Sequence, residues 1–455
     1  MVDVVQRAAG QGPMSGAEKV PNLNGDIRHL IPKLGLRNYW YPLITAKRVP
    51  KRRPIQLRLL GEDLVVFRDK RGEAVTLTDI CPHRGARLSE GHVHWAGTVA
   101  CPYHGWVFDE EGRNVAVLSE GPESRVCGKP GTEAKKYPTR TLKGMVFVWI
   151  GEEQSAPIEE DVPEEFFDDD SLILFGEGYW TCNWEVALEN SMDAHVNYLH
   201  RNALVVLRGE YYSRVAAGEY PVYVANGFAG DVTKVGRMTP SDKNAYFDHY
   251  PNGWRWPKSN WRRLWTWALK WNVMGAQRNV PSARSPRWSG GHHLPGMFRA
   301  EFAYDLYTRM VVPVEEKLSR LWYYHCTRPR NGLQRWWHTV LYYIYHRWMI
   351  EWNFSMQDNS VMNNQRYDTP EFLSRTDAEV VQWRRLVVTK AFGGRKAEYQ
   401  FRNPGNFPAE DVPMELVSRA HYHQAIKDGR IKPTEDVAAQ LARQAKRQDP
   451  PVAAG

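Results

Sequence analysis

Two short runs near the front of the chain each pair a cysteine with a histidine: C-P-H-R-G supplies Cys81 and His83, and C-P-Y-H-G-W supplies Cys101 and His104. Two thiolates and two imidazoles suit a [2Fe–2S] cluster in which neutral rings replace two thiolates on one iron, removing negative charge and raising the reduction potential. Zinc accepts the same donors, but zinc fingers group cysteines with cysteines and histidines with histidines, whereas each run here supplies one of each. Proline follows both cysteines, Gly105 follows His104, and Trp106 comes next. The expectation is two stiff, tight loops around a partly dry redox centre.

A second candidate centre lies in N-W-E-V-A-L-E-N-S-M-D-A-H-V-N-Y-L-H-R, residues 183–201, where His195 and His200 stand beside Glu189, Asn190 and Asp193. Two imidazoles and one carboxylate on one face of Fe(II) leave positions open for O2. A pair of histidines in a polar segment is weak evidence by itself. On a regular helix a five-residue step turns the side chain by about 140°, so both rings meet one ion only where the helix breaks or bends. The carboxylate has to approach from another element, and Glu315, Glu316, Glu351, Asp358 and Glu371 are available.

Residues 81–108 resemble the Rieske domain at the front of the large subunit of the Rieske non-haem iron oxygenases, the ring-hydroxylating oxygenase family. The likeness extends to N-Y-W-Y-P-L at 38–43 and G-M-V-F-V-W-I-G at 144–151. The 183–201 run is similar to the family's iron-binding motif, N-W followed by E-N, an aspartate and two histidines separated by four residues. The resemblance implies a [2Fe–2S] cluster on Cys81, His83, Cys101 and His104, and a mononuclear Fe(II) on His195, His200 and Asp358. Asp358 is chosen because F-S-M-Q-D-N-S-V-M looks like the family's Gln-Asp followed by valine, with Glu351 in reserve. The resemblance also implies that Asp193 bridges, by hydrogen bonding, from the iron-ligand histidine to the Rieske histidine of a neighbouring subunit. Only Ala194 separates Asp193 from His195, where the family has two residues, so Glu189 and Asn190 stand as alternatives for the bridge.

The family fold is α+β: a small antiparallel β Rieske domain, then a helix-grip (START-like) catalytic domain with an antiparallel sheet and helices around a substrate cavity. O2 is the implied cosubstrate. Electrons from NAD(P)H arrive through a separate flavin reductase, with or without a ferredoxin, because no G-x-G-x-x-G follows a strand in this chain. In the family the working pair of centres spans two subunits, which requires a head-to-tail contact that closes. A homotrimer is therefore expected, with or without a small β-subunit. Hydroxylation, dioxygenation, desaturation and O- or N-demethylation stay open as reactions. From a different class, so does a Rieske electron carrier fused to a non-catalytic ligand-binding module.

The elements that must position these residues are legible as pattern. Residues 1–36 read as an arm. From residue 55, I-Q-L-R-L-L, L-V-V-F-R-D and A-V-T-L-T-D-I are short strands with turn signals between them, within a Rieske unit placed at 37–152. The acidic E-E-Q-S-A-P-I-E-E-D-V-P-E-E that follows is expected to be a linker with little to bury. A catalytic unit placed at 153–430 holds strand signals in L-I-L-F-G-E-G-Y-W, F-R-A-E-F-A-Y-D-L-Y and S-R-L-W-Y-Y-H-C-T, a helical segment in W-E-V-A-L-E-N, and helical pattern from Leu333. Residues 431–455 read as a C-terminal helix and frayed tail.

Composition bounds the rest. A length of 455 residues suggests two or three domains. Five cysteines are an odd number, and Cys127, Cys182 and Cys326 show no paired spacing, which favours a reducing, cytoplasmic setting. The N-terminus does not read as a secretory signal. The apolar run at 336–354 contains His338, His346, Arg347 and Glu351, which argues against a transmembrane span. The formal charge is +8, part of it in A-K-R-V-P-K-R-R-P at 46–54. That run is a solvated loop or a docking surface for an acidic redox partner, and no nucleic-acid motif accompanies it. Of the nineteen tryptophans, six cluster at 254–271, as core, interface, a membrane-surface helix or a lid, and they favour a bulky apolar or aromatic substrate.

Overall fold

The structure is a computed structural model that describes residues 28, 31–151, 154–192, 195, 199–200, 203, 220–223, 232–235, 284, 288, 291–301, 305–366 and nine positions between 371 and 387. Asp193, the tryptophan-rich run at 254–271 and the tail at 431–455 lie outside the described residues.

The first half of the described chain is a stack of small antiparallel sheets. Strands β1 (Tyr39–Thr45), β10 (Met145–Ile150) and β9 (Thr139–Leu142) form one; β2 (Ile55–Leu59), β3 (Glu62–Arg68), β4 (Ala74–Thr78) and β8 (Lys136–Tyr137) a second; β5 (Val99–Ala100), β6 (Trp106–Phe108) and β7 (Asn114–Val117) a third. Strand β2 shows the period of two, with Ile55, Leu57 and Leu59 buried and Gln56 and Arg58 half-buried between them. Strand β3 has no polar face in its centre, because both of its faces are covered. Leu64 and Val66 join the main core, whereas Val65 and Phe67 join the small core that also holds Cys81, Cys101 and Trp106. One apolar run thus welds the loops of the first candidate centre to the body of the protein.

The second half is a seven-stranded sheet crossed by helices. Its strands are β11 (Leu172–Trp180), β12 (Tyr220–Tyr223), β13 (Val232–Val235), β14 (Gly291–His293), β15 (Met297–Glu301), β16 (Leu306–Glu315) and β17 (Leu318–Thr327), in the order β11-β17-β16-β15-β14-β12-β13. Every pairing is antiparallel except β12 with β14. Helix α1 (Trp184–Glu189) starts where the Asn183 side chain accepts from Glu185 N–H. Helix α2 (Gly332–Leu341) is capped in the same way by Asn331. It runs through two wider π-helical turns, Tyr342–His346 and Trp348–Phe354, into α3 (Ser355–Met362). No helix among the described residues is long and apolar enough to cross a membrane.

The acidic stretch after residue 151 corrects one expectation: it is not a solvated linker. Ile158, Val162 and Phe166, spaced four apart, enter the core. The carboxylates beside them find partners remote in sequence. Asp161 accepts from Trp40 N–H at 3.0 Å, and Glu165, fully buried, is paired with Arg299 at 2.8 Å. Composition made the stretch look wet, yet the apolar spacing was the stronger signal. The end of the N-terminal arm is likewise built in, with Pro32 and Lys33 carbonyls accepting from Trp184 and Asn183 at 2.9 and 2.8 Å.

Candidate metal centres

Each cysteine of the first centre opens a turn that closes on itself. Gly85 N–H donates to Cys81 O at 2.9 Å, and Gly105 N–H donates to Cys101 O at 3.2 Å. Both glycines have positive φ, 75° and 66°, a backbone state that residues with a Cβ avoid. A Cβ on Gly105 would also lie 2.7 Å from Leu118 Cβ. The loops face one another, with the His83 and His104 ring centroids 4.6 Å apart. Trp106 stacks flat on His83, at 4.9 Å and 3°, and Tyr103 leans on His104.

The two halves of this donor set differ in solvation. Cys81 and Cys101 are buried, His83 is exposed and His104 half-buried, so the sulfur side is dry and the imidazole edges meet solvent. Burial pushes the Cys81 thiol up to about 12; the adjacent Cys101 thiol adds to the rise, and backbone N–H groups of His83 and Arg84 oppose it. Such a thiol ionises only when a nearby cation compensates, which a coordinating metal does outright. The donor set therefore fits a cluster.

The second centre is assembled across 163 residues of sequence. His195 Nε2 and His200 Nε2 lie 3.2 and 2.8 Å from the same oxygen, Asp358 Oδ1. The ligand atoms of the three residues all fall within 4.8 Å of one another. Helix α1 stops at Glu189, before both histidines, and a helical bond runs from Leu199 N–H to His195 O at 2.8 Å. His200 Nδ1 lies 3.2 Å from Gln357 Oε1, an acceptor that suits a proton on Nδ1 and leaves Nε2 to face Asp358. That buried Nε2 has no hydrogen bond of its own. Phe354 stacks on the ring at 3.7 Å and 19°. Burial alone would raise the Asp358 carboxyl, but the two histidines outweigh burial and hold it well below the usual carboxylate range. Two imidazole nitrogens turned to one oxygen of a buried carboxylate fit a two-nitrogen, one-oxygen metal site.

The other sequence candidates separate clearly. Asn190 donates to Asp358 Oδ1 and accepts from Arg309, both at 3.3 Å. Glu189 is turned to Arg384, which holds both of its oxygens at 2.6 and 2.7 Å. Glu351 lies elsewhere, accepting from Tyr342 and Arg347 at 2.9 and 3.0 Å. Glu315 and Glu316 pair with Arg58 and Lys33. Arg309, 3.9 Å from Asp358 Oδ2, and the His292 ring, 2.9 Å from Ser191 Oγ, carried no signal in the sequence. Burial, with Arg309 adding, pushes His292 down to about 3, so it is neutral. Gln357 did carry a signal, as the residue before Asp358, but not the role of fixing a tautomer.

Comparison with known proteins divides the chain in the same way. Residues 39–131 match the Rieske [2Fe-2S] domain, and residues 149–219 match the homotrimeric ring hydroxylases. The terminal oxygenase component of carbazole 1,9a-dioxygenase from Metapseudomonas resinovorans is 35% identical over 175 residues, which is 38% of this chain and 45% of that protein. The oxygenase subunit of 5,5'-dehydrodivanillate O-demethylase from Sphingobium sp. is 32% identical over 179 residues, 38% of this chain and 41% of that protein. The chain thus spans less than half the length of these curated relatives. The reduced oxygenase–ferredoxin complex of carbazole 1,9a-dioxygenase contains a chain with a TM-score of 0.57 at 24% identity, over 78% of this chain and 90% of that one. At that identity the likeness is one of fold.

Proposed function

From a chain that carries a Rieske domain followed by a ring-hydroxylase domain, the make-up of the Rieske non-haem iron oxygenases, we propose a terminal oxygenase of a multicomponent system. It uses O2, and electrons from NAD(P)H delivered by a flavin reductase with or without a ferredoxin, to hydroxylate a bulky apolar or aromatic substrate. The observation that carries the reading is the convergence of His195, His200 and Asp358 on one point in a chain that also holds the Rieske loops.

In this reading Cys81, His83, Cys101 and His104 hold the [2Fe–2S] cluster, and His195, His200 and Asp358 hold the Fe(II). When bound, the cluster supplies single electrons, and the ferrous ion a further electron and the open positions that oxygen chemistry needs. The protein's own part is orientation. Gln357 fixes the His200 tautomer, Phe354 keeps one ring face dry, and Asn190 with Arg309 holds the Asp358 carboxylate. Asp193 is the bridge to the neighbouring subunit's cluster. The description of the matched family supports a homotrimer, and the neighbour's ferredoxin complex supports a ferredoxin as the redox partner. Five unpaired thiols suit a reducing cytoplasm.

The likeness to an O-demethylase favours demethylation as a second reading, since the same centre serves both. The test is iron analysis on anaerobically purified protein, followed by a substrate screen with a surrogate reductase and labelled O2. An oxygenase contains about three irons per chain and an electron carrier about two. Two irons and no labelled product would overturn the proposal, and the number of labelled oxygens separates hydroxylation from dioxygenation.

A further inference from the structure

The helix that leads to His195 carries two carboxylates that a short buried helix does not tolerate unaided. Glu185 and Glu189 lie one turn apart on α1, at 5% and 8% exposure, and like charges at that spacing repel. Arg384 meets both: its Nε and Nη2 donate to Glu189 at 2.6 and 2.7 Å, and Nε lies 3.5 Å from Glu185. Arg28 reaches Glu185 at 3.6 Å. Glu371 ties the two guanidiniums together, 2.7 Å from Arg28 and 2.6 Å from Arg384. Apolar contacts follow the same route. Buried Trp383 lies 6.1 Å from Trp184, whose indole N–H donates to Pro32 O at 2.9 Å. Helix α1 is therefore clasped from two sides, by Arg28 and Pro32 and by Trp383 and Arg384, which are more than 330 positions apart in the sequence.

We propose that Arg384 is a positioning residue of the mononuclear centre. By neutralising the α1 carboxylates from the C-terminal side, it fixes where α1 ends and hence where the turn bearing His195 begins. The lever is short. Asn190 follows Glu189 directly and is hydrogen-bonded to Asp358, so a shift in the last turn of α1 moves a partner of the carboxylate along with His195. Deleting the guanidinium alone leaves two buried carboxylates facing Arg28, and breaking a buried pair from one side is costly. Deleting one carboxylate with it restores the balance. The inference rests on reading His195, His200 and Asp358 as iron ligands.

The experiment compares wild type, Arg384→Met and the double variant Arg384→Met/Glu189→Gln as full-length protein purified anaerobically and titrated with Fe(II). Rieske absorbance counts the cluster, and the electron paramagnetic resonance signal formed with nitric oxide counts the ferrous centre. Arg384→Met is expected to keep the cluster and lose at least about tenfold in Fe(II) affinity, the scale on which supporting partners act. The double variant is expected to recover most of that loss. Wild-type affinity in Arg384→Met overturns the proposal, and so does a double variant no better than the single one. Joint loss of both centres, unrelieved in the double variant, marks a general fold element and overturns it too. A wild-type chain without the ferrous signal fails the iron reading itself, which distinguishes the two failures.

Discussion

At the scale of single residues, the functional side chains are held by neighbours that fix their protonation. Gln357 decides which nitrogen of His200 is free, and Gln357→Leu removes that choice while leaving the ring in place. Fe(II) affinity or turnover is expected to fall by about 10–100-fold, with Rieske absorbance unchanged, as an iron titration would show. His325 illustrates the same principle away from iron. Burial disfavours its charged form, yet Asp305 at 2.5 Å, and Glu351 beyond it, outweigh burial and raise its pKa above the usual histidine value. A raised value means that the stabilisation is complete below the unfolded pKa, about 6.5, and is lost as pH rises through the folded one. Stability should therefore fall on going from mildly acidic to alkaline pH by at most about 1.4 kcal/mol per pH unit. Asp305→Asn should flatten that slope in urea unfolding followed across the range, and an unchanged slope would remove His325 as its source.

At the scale of elements, two glycines show how backbone and side chain were fitted together. Gly176 on β11 lies beneath the Glu351 carboxylate, and an added Cβ would come within 1.9 Å of Glu351 Oε1. That carboxylate cannot retreat, since Tyr342 and Arg347 hold it. Gly176→Ala is expected to destabilise by about 1–3 kcal/mol, read from the urea midpoint. Gly105→Ala combines a φ of 66° with the approach to Leu118, and should lower cluster content on purification, measured by visible absorbance. Strands β2, β3, β4, β11 and β17 and the start of α2 were legible as period and turn chemistry. The segment after residue 151 was not, because its carboxylates gave it a solvated composition while its buried partners, Trp40 and Arg299, stood 121 and 134 residues away.

At the scale of the whole molecule, the β16–β17 hairpin is where the two halves meet. Arg320 donates to Leu43 O at 2.5 Å, and Leu60 and Gly61 N–H donate to Pro313 and Val314 carbonyls at 2.9 and 3.0 Å. These contacts fix strand β1 and the β2–β3 turn to the seven-stranded sheet of the same chain. Transfer between neighbouring chains is a separate claim of the proposed trimer, and hybrids test it. Co-expression of Cys101→Ser with His200→Ala is expected to restore part of the turnover that neither variant has alone. Failure of the hybrids to recover, with trimers confirmed by sedimentation, would place electron transfer within one chain.

The sequence by itself pointed to the Rieske donors and to the pair His195 and His200, because each cysteine stands within three residues of a histidine in a short run, and the pair stands in one run of residues 183–201. It also pointed to Asp358, but only through the motif around it; by chemistry alone Glu315, Glu316, Glu351 and Glu371 were its equals. Only the tertiary structure separates them, by placing each acid beside a different cation or ring: Asp358 with two imidazoles, Glu351 with Arg347, Glu315 with Arg58. A carboxylate is the same group wherever it stands in the chain. What it does is set by the charge that packing places next to it, and those partners lie up to 343 residues away.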